Sequence, residues 1–579
     1  MKKVKFYLSL LLIFFFPLTG CGTVSPDTAF EDWCNHTFAS ELSQNTLNLH
    51  YTLQHPENYG IKSASVSLGS FDLAEQEKML INKKVYLSAL SSFDYNALSL
   101  ENRLTYDILA YDLNQSLADT EFFFYEEPLG SVTGMQAELP ILLSEYRFYT
   151  GADIPVYLNL LSQVDDYFDS ILAFEEEKSK QGLFMSKQAA QAVIDQCEDF
   201  IENPSQNMLV TTFRNRMENL SQLNPRLKES YQQQNDNIFY GSIVPAYEEI
   251  ISTLSRLVDT SQNQNGLCYL PKGKEVYEAK VQSLVGCQRT ITEIKSLIQH
   301  YYKEDLLALK SCLEKGEITS PVLMDTAKEN PNAILSSLAQ KIQADFPKIP
   351  METYQVKYVD DSLKDHISPA FYLTPPIDNA ADNVIYINPA MELKDLSLFT
   401  TLAHEGYPGH LYQTVFAVSK DTAPIRSLLS FGGYTEGWAT YGEMYSYGLY
   451  GLDANSADYY MHSNALNLSL YAIADIGIHY DGWQMAQLTE FFSPYGITDK
   501  SSIESIQTAI LENPGNYLKY YVGYLEFLEL KEKAQGVSYS EYPSDLKVFH
   551  NVILSIGEAP FPIIEKYLPE YYSLLYSSK

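Results

Sequence analysis

The stretch TLAHEGYPGHLYQ, residues 401–413, holds the residue types that do hydrolytic metal chemistry. His404 and Glu405 open it as an H-E-x-x-H zinc helix opens, but the second histidine of that arrangement would stand at position 408. Position 408 is Pro408, and the next histidine is His410. Zinc catalysis uses about three protein ligands, an open position for water and a base beside that water. His404 and Glu405 are the right types for a ligand and a base. At about 3.6 residues per turn, position i+6 lies about 240° round a helix, so a regular helix would aim His404 and His410 apart. The intervening residues are Gly406, Tyr407, Pro408 and Gly409. Proline removes a backbone donor and clashes with the preceding turn, and glycine adopts conformations that other residues resist. The segment is built to kink or bulge, which can swing His410 back toward His404. The spacing permits a metal site without requiring one.

A third ligand belongs on a neighbouring helix. FGGYTEGWATYGEMY, residues 431–445, supplies Glu436 past a loop containing Pro424, a separation that suits a helix hairpin. Two histidines and a glutamate form one of the mixed sets that hold catalytic zinc. Glu443 shares a helix face with Glu436 and can orient a ligand histidine from behind. Alone, Glu436 would read as part of a solvated helix face; beside H-E-G-Y-P-G-H it reads as a ligand.

The elements that must position these groups are mostly helical. VPAYEEIISTLSRLVD places Tyr247, Ile250, Ile251, Leu254, Leu257 and Val258 on one stripe, with Pro245 near the start. SKQAAQAVIDQCEDFIEN does the same with Ala190, Val193, Cys197 and Ile201 after a Ser186 cap. Residues 350–390 change character: TYQVKYV alternates, AFYL is β-prone and VIYIN is β-branched between turn residues, which predicts two or three strands of a small sheet. Helix resumes at Asp395, a suitable cap for LSLFTTLAHEG. The expected fold is therefore mainly α, with a small β-sheet beside the active-site helix. VIYIN would serve either as a free edge that binds an extended peptide or as a structural hairpin. The expected division is residues 21–60 as a tether and first helix, 61–345 as a helical N-terminal part, and 346–579 as the catalytic part with the sheet and metal helices.

The chain of 579 residues carries a formal charge of −33 and 45 tyrosines. That charge argues against nucleic acid and against electrostatic docking on anionic lipid. Tyrosine excess suits half-wet helix faces or a ring-lined groove. No G-x-S-x-G, P-loop or dinucleotide fingerprint is present, which demotes serine-hydrolase and nucleotide chemistry. MKKVK followed by FYLSLLLIFFFP is a basic head and a short apolar core, so residues 1–20 read as a secretory signal. Leu18-Thr19-Gly20-Cys21 resembles the bacterial lipobox, which implies cleavage before Cys21 and a lipid anchor on it. The expected location is the outer side of a bacterial membrane. A Cys268–Cys287 disulfide is compatible with export, although buried free cysteine is the commoner state. His300, His366, His462 and His550 read as surface or core packing.

The blocks TLAHEGYPGHLYQ, EGWATYGE, DIGIHYDGW (475–483) and YYVGYLEFLELKEKA (520–534), with NRLTYDIL and LPILLSEYRFYTGADIPVYLNLL upstream, resemble the DUF885 family over about residues 60–575. That family is similar to helical zinc metallopeptidases of the thimet-oligopeptidase and carboxypeptidase Taq group, so the resemblance implies a zincin-like, neurolysin-like body. By position it implies one zinc ion on His404, His410 and Glu436, with Glu405 as the general base that deprotonates the zinc-bound water and passes the proton to the leaving amine. It implies Tyr520 as a hydrogen-bond donor to the developing oxyanion, and His479 as a substrate contact oriented by Asp475. The implied substrate is a short peptide.

Two positions depart from the family's pattern. A second histidine often follows P-G-H, and here it is Leu411; an arginine position is Lys531, which would hold a carboxylate at a single point only. A damaged metal set would favour a non-catalytic peptide-binding lipoprotein on the same scaffold, and zinc-dependent hydrolysis of a non-peptide amide is a third reading.

Overall fold

In the computed structural model the described residues are 24–62, 65–131, 133–321, 330–350, 353–359, 368–391, 393–420, 422–536 and 545–577. The signal stretch, Cys21 and His366 lie outside them. The fold is mainly helical with one small sheet, as the patterning predicts. The helix Lys187–Glu202 starts where expected, with the Ser186 hydroxyl accepting from the Ala189 N–H, and buries Ala190, Val193 and Cys197. The helix Val244–Leu257 has Pro245 in its first turn and buries Tyr247, Ile250, Leu254 and Leu257. Both pack into a core built from residues 47–257.

A larger core surrounds residues 395–446. It draws Tyr277, Val281, Ile298 and Leu338 together with Leu402, Leu411, Trp438, Tyr521 and Val552, so it spans both sides of residue 345.

The sheet contains β1 (Tyr354–Tyr358), β2 (Ala370–Leu373) and β3 (Asn383–Ile387) in the order β1-β3-β2. β1 pairs with β3 in parallel and β2 pairs with it antiparallel. VIYIN therefore lies mainly in the central strand, buried throughout, and has no free edge for a peptide. Its unbroken apolar run is what a strand covered on both faces requires. The free edges belong to β1 and β2.

The sheet precedes the helix Asp395–Glu405. Its start differs from expectation by one residue: Asp395 is already inside the helix, and the Ser397 hydroxyl accepts from the Lys394 N–H. The helix Gly432–Ser446 lies against the helix Asn516–Gly536 at very short range. A Cβ on Gly437 would meet the Gly523 carbonyl carbon at 2.4 Å, so only glycine allows that approach. The described cysteines, Cys268 and Cys287 among them, are all free. No described helix is long and apolar enough to cross a membrane.

Candidate metal centre

The helix carrying His404 ends at Glu405, and a second helix begins at His410 and runs to Val418. Between them the chain turns through Gly406, a cis Tyr407–Pro408 peptide bond and Gly409. The turn is tied to both helices: the Gly409 N–H donates to the Ala403 carbonyl and the Tyr412 N–H to the Gly406 carbonyl. Trp438, fully buried, donates its indole N–H to the Pro408 carbonyl at 2.9 Å, so the E-G-W helix holds the turn in place.

This break brings the two imidazoles together, with ring centroids 4.9 Å apart and planes at 84°. Glu436 Oε2 lies 3.6 Å from His404 Nε2 and 3.4 Å from His410 Nε2. One ligand atom from each of the three residues lies within 4.8 Å of the others. Bonds of about 2.0–2.1 Å at tetrahedral angles place ligand atoms about 3.3 Å apart, close to the two measured separations. The side chains are 13%, 18% and 20% exposed, so the cluster is open on one side.

The hydrogen bonding agrees with metal binding. His404 Nδ1 lies 3.2 Å from Glu443 Oε2, and the other Glu443 oxygen accepts from Asn464 at 3.0 Å. With a proton on Nδ1 donated to Glu443, Nε2 faces Glu436 and can share that carboxylate through either a proton or a metal ion. Burial acts to push His404 down, but hydrogen bonds to Glu436 and Glu443 and the charge of Glu405 carry it well above its ordinary value. Burial likewise acts to raise Glu436, while His404 and His410 hold it well below the usual carboxylate range. The three residues thus fit a divalent ion.

Glu405 is buried, at 8% exposure, and its charge acts on both His404 and Tyr520. The Tyr520 ring stacks 6.2 Å from that of His404, and burial followed by the charges of Glu436 and Glu405 raises its hydroxyl well above its ordinary value. Tyr520 is thus a protonated donor facing the cluster.

Other expectations change. His479 does not join the cluster: its Nδ1 accepts from the Leu267 N–H at 3.2 Å and its Nε2 donates to the Ile510 carbonyl at 2.8 Å. Both nitrogens are consumed by backbone, and burial pushes the group down to about 4. Asp475 does not orient it. Asp475 accepts from the Tyr277 hydroxyl at 2.7 Å and from the Gly515 N–H at 3.0 Å, fixing the start of the Tyr520 helix, while Tyr277 stacks on His479. Leu411 is fully buried in the main core, so the cluster forms without a histidine there. Lys531 lies further along the Tyr520 helix with its ammonium 5.5 Å from the Tyr441 ring centroid. His550 is buried between Tyr441 and Asp345, His462 pairs with Asp305 and His300 lies on the surface near Glu304.

Sequence reasoning missed Lys519 and Asn464. Lys519 Nζ stands 3.5 Å from Glu436 Oε1, the oxygen turned away from the histidines. Its position next to Tyr520 was the available signal.

A sequence family described as bacterial proteins of unknown function, DUF885, matches residues 57–315 and 317–568. The chain belongs to the DUF885 family. No curated protein matches it. Among solved structures, a candidate lipoprotein from Colwellia psychrerythraea is 18% identical, with a TM-score of 0.83 over 95% of this chain and 100% of that one. A candidate lipoprotein of unknown function from Shewanella oneidensis is 17% identical, with a TM-score of 0.65 over 93% and 99%. At these identities the likeness is one of fold, and this DUF885 chain shares it along nearly its whole length.

Proposed function

We propose that this protein is a zinc-dependent peptidase acting on short peptides, held by lipid on the outer side of a bacterial membrane. The observation that carries the reading is the convergence of His404 Nε2, His410 Nε2 and Glu436 Oε2, backed by Glu443 on the far nitrogen of His404. These three residues would hold the ion, which when bound supplies Lewis acidity toward a water and a peptide carbonyl. Glu405 takes the proton of the attacking water and delivers it to the leaving amine. Tyr520 donates a hydrogen bond to the oxygen on which negative charge develops. Lys519 holds the outer oxygen of Glu436, which keeps the inner oxygen for the ion.

The lipid anchor rests on the Leu18–Cys21 tetrapeptide and on the two related folds that carry lipoprotein names. A Cys21→Ala variant is expected to leave the membrane fraction.

The test of function pairs metal analysis with a Glu405→Gln variant. Wild type is expected to hold one zinc per chain and to cleave short peptides. Glu405→Gln is expected to keep the zinc and lose at least about 100-fold in rate. Absence of bound metal together with unchanged peptide affinity would favour the non-catalytic binder instead.

A further inference from the structure

A partly open cavity of about 260 Å³ lies beside the His479 turn, apart from the histidine cluster. It is walled by the 125–130 and 183–189 segments, by the 263–267 loop with Val276 and Lys280, and by residues 511–514. Both carboxylate oxygens of Glu512 are buried there and have no hydrogen-bond partner among the described residues. Burial pushes this carboxyl up to about 7. Lys280, also in the lining, makes no hydrogen bond or ion pair among the described residues, and its charge is felt by Glu127, Asp475 and His479. Glu126 and Glu127 line the same space, with Glu127 held by the Lys178 ammonium, whereas Glu512 and Lys280 have no hydrogen-bonded partner among the described residues.

The walls are preformed. The Asn263 amide donates to the Asn265 and Gly266 carbonyls, and the Leu267 N–H donates to His479. A Cβ on Gly266 would lie 2.1 Å from the Ile478 carbonyl oxygen, so the loop is seated directly on the turn. These contacts hold the 263–267 wall against the His479 turn. A buried carboxylate left without a donor carries the full cost of its lost hydration, which a bound cationic group removes. The volume is slightly under the roughly 300–1,000 Å³ of pockets for drug-sized ligands, which limits the occupant to a small molecule.

We propose that this cavity binds a small zwitterion, a free amino acid or a dipeptide, with its ammonium on Glu512 and its carboxylate on Lys280. A molecule carrying both charges satisfies both side chains, whereas a simple amine or a simple acid leaves one of them unpaired. The occupied cavity adjoins Gly515, where the Tyr520 helix begins.

The test uses the full mature chain as the Glu405→Gln variant, stripped of metal with chelator so that peptide is neither cleaved nor held by an ion. Calorimetric titration with alanine and with alanyl-alanine separates the amino-acid and dipeptide sources. Saturable binding of at least one is expected, with N-acetyl-alanyl-alanine and alanyl-alanine amide each about tenfold weaker or worse. Glu512→Gln and Lys280→Met are each expected to lose about tenfold or more, with circular dichroism spectra unchanged. Glu512→Asp and Lys280→Arg are expected to recover part of the loss. Absence of binding by both probes at millimolar concentration, or binding indifferent to Glu512→Gln and Lys280→Met, would overturn the proposal.

Discussion

Replacing Gly409 by alanine should take the proposed metal centre apart while leaving the fold standing. A Cβ at this position would lie 1.7 Å from the His404 carbonyl oxygen and 2.6 Å from that of Ala403, where real contacts stay above 3.0 Å. The turn must therefore open by at least about 1.3 Å, and His410, the next residue, moves with it. Metal–ligand distances tolerate about 0.2 Å, and a misplacement of about 1 Å at a reacting centre costs about 100-fold in rate. Gly409→Ala is thus expected to lose about 100-fold or more in zinc affinity, measured by competition with a chromogenic chelator, and a similar factor in peptide cleavage. Helicity by far-ultraviolet circular dichroism should largely remain, because the separate core built from residues 47–257 includes no residue of that turn. Gly448→Ala, with nothing within 4 Å of its Cβ, is the control expected to change neither. A Gly409→Ala protein that binds zinc as tightly as wild type would refute the claim that the Gly-Tyr-Pro-Gly break sets the site.

Three further outcomes follow from individual contacts. Glu443→Gln weakens the acceptor behind His404 Nδ1 and is expected to reduce zinc affinity by about 10- to 100-fold, with the same chelator assay deciding. Tyr520→Phe removes the donor facing the cluster and is expected to lower kcat by about 100-fold or more while zinc content is unchanged; an equal loss of zinc would assign the residue to metal holding instead. Asp475 keeps its proton up to about pH 7 in the folded state because burial raises it, whereas the unfolded chain releases it near 3.8. The folded state binds more protons in that window, so its contribution is full below about pH 4 and is lost as pH rises through 7. Asp475→Asn should therefore gain in Tm relative to wild type as pH climbs from 4 to 8, and a pH-independent difference would contradict this.

The convergence of His404, His410 and Glu436 was legible because its chemistry is written in residue type. His404, Glu405 and Glu436 are uncommon partners for a plain helix face, and Pro408 with Gly409 marks the break that a six-residue spacing needs. Glu443 was legible as well, since it sits two turns along the same helix as Glu436. The expected pairing of Asp475 with His479 does not form, although the two stand four residues apart. A π-helical turn at Gly477–Asp481 and the arrival of Tyr277 from a distant helix redirect both side chains. Lys519 and Asn464 act through partners on other helices, and only the position of Lys519 beside Tyr520 gave a local sign of this. The strand VIYIN was recognised as β, while its central place depends on β1 and β2 flanking it, which the apolar run alone only implies.

The most direct test of the account is a crystal structure of the zinc-loaded chain with anomalous data at the zinc edge. One peak is expected within about 2.0–2.2 Å of His404 Nε2, His410 Nε2 and Glu436 Oε2. Loss of all signal at that point, or a peak held by other residues, would contradict the central claim.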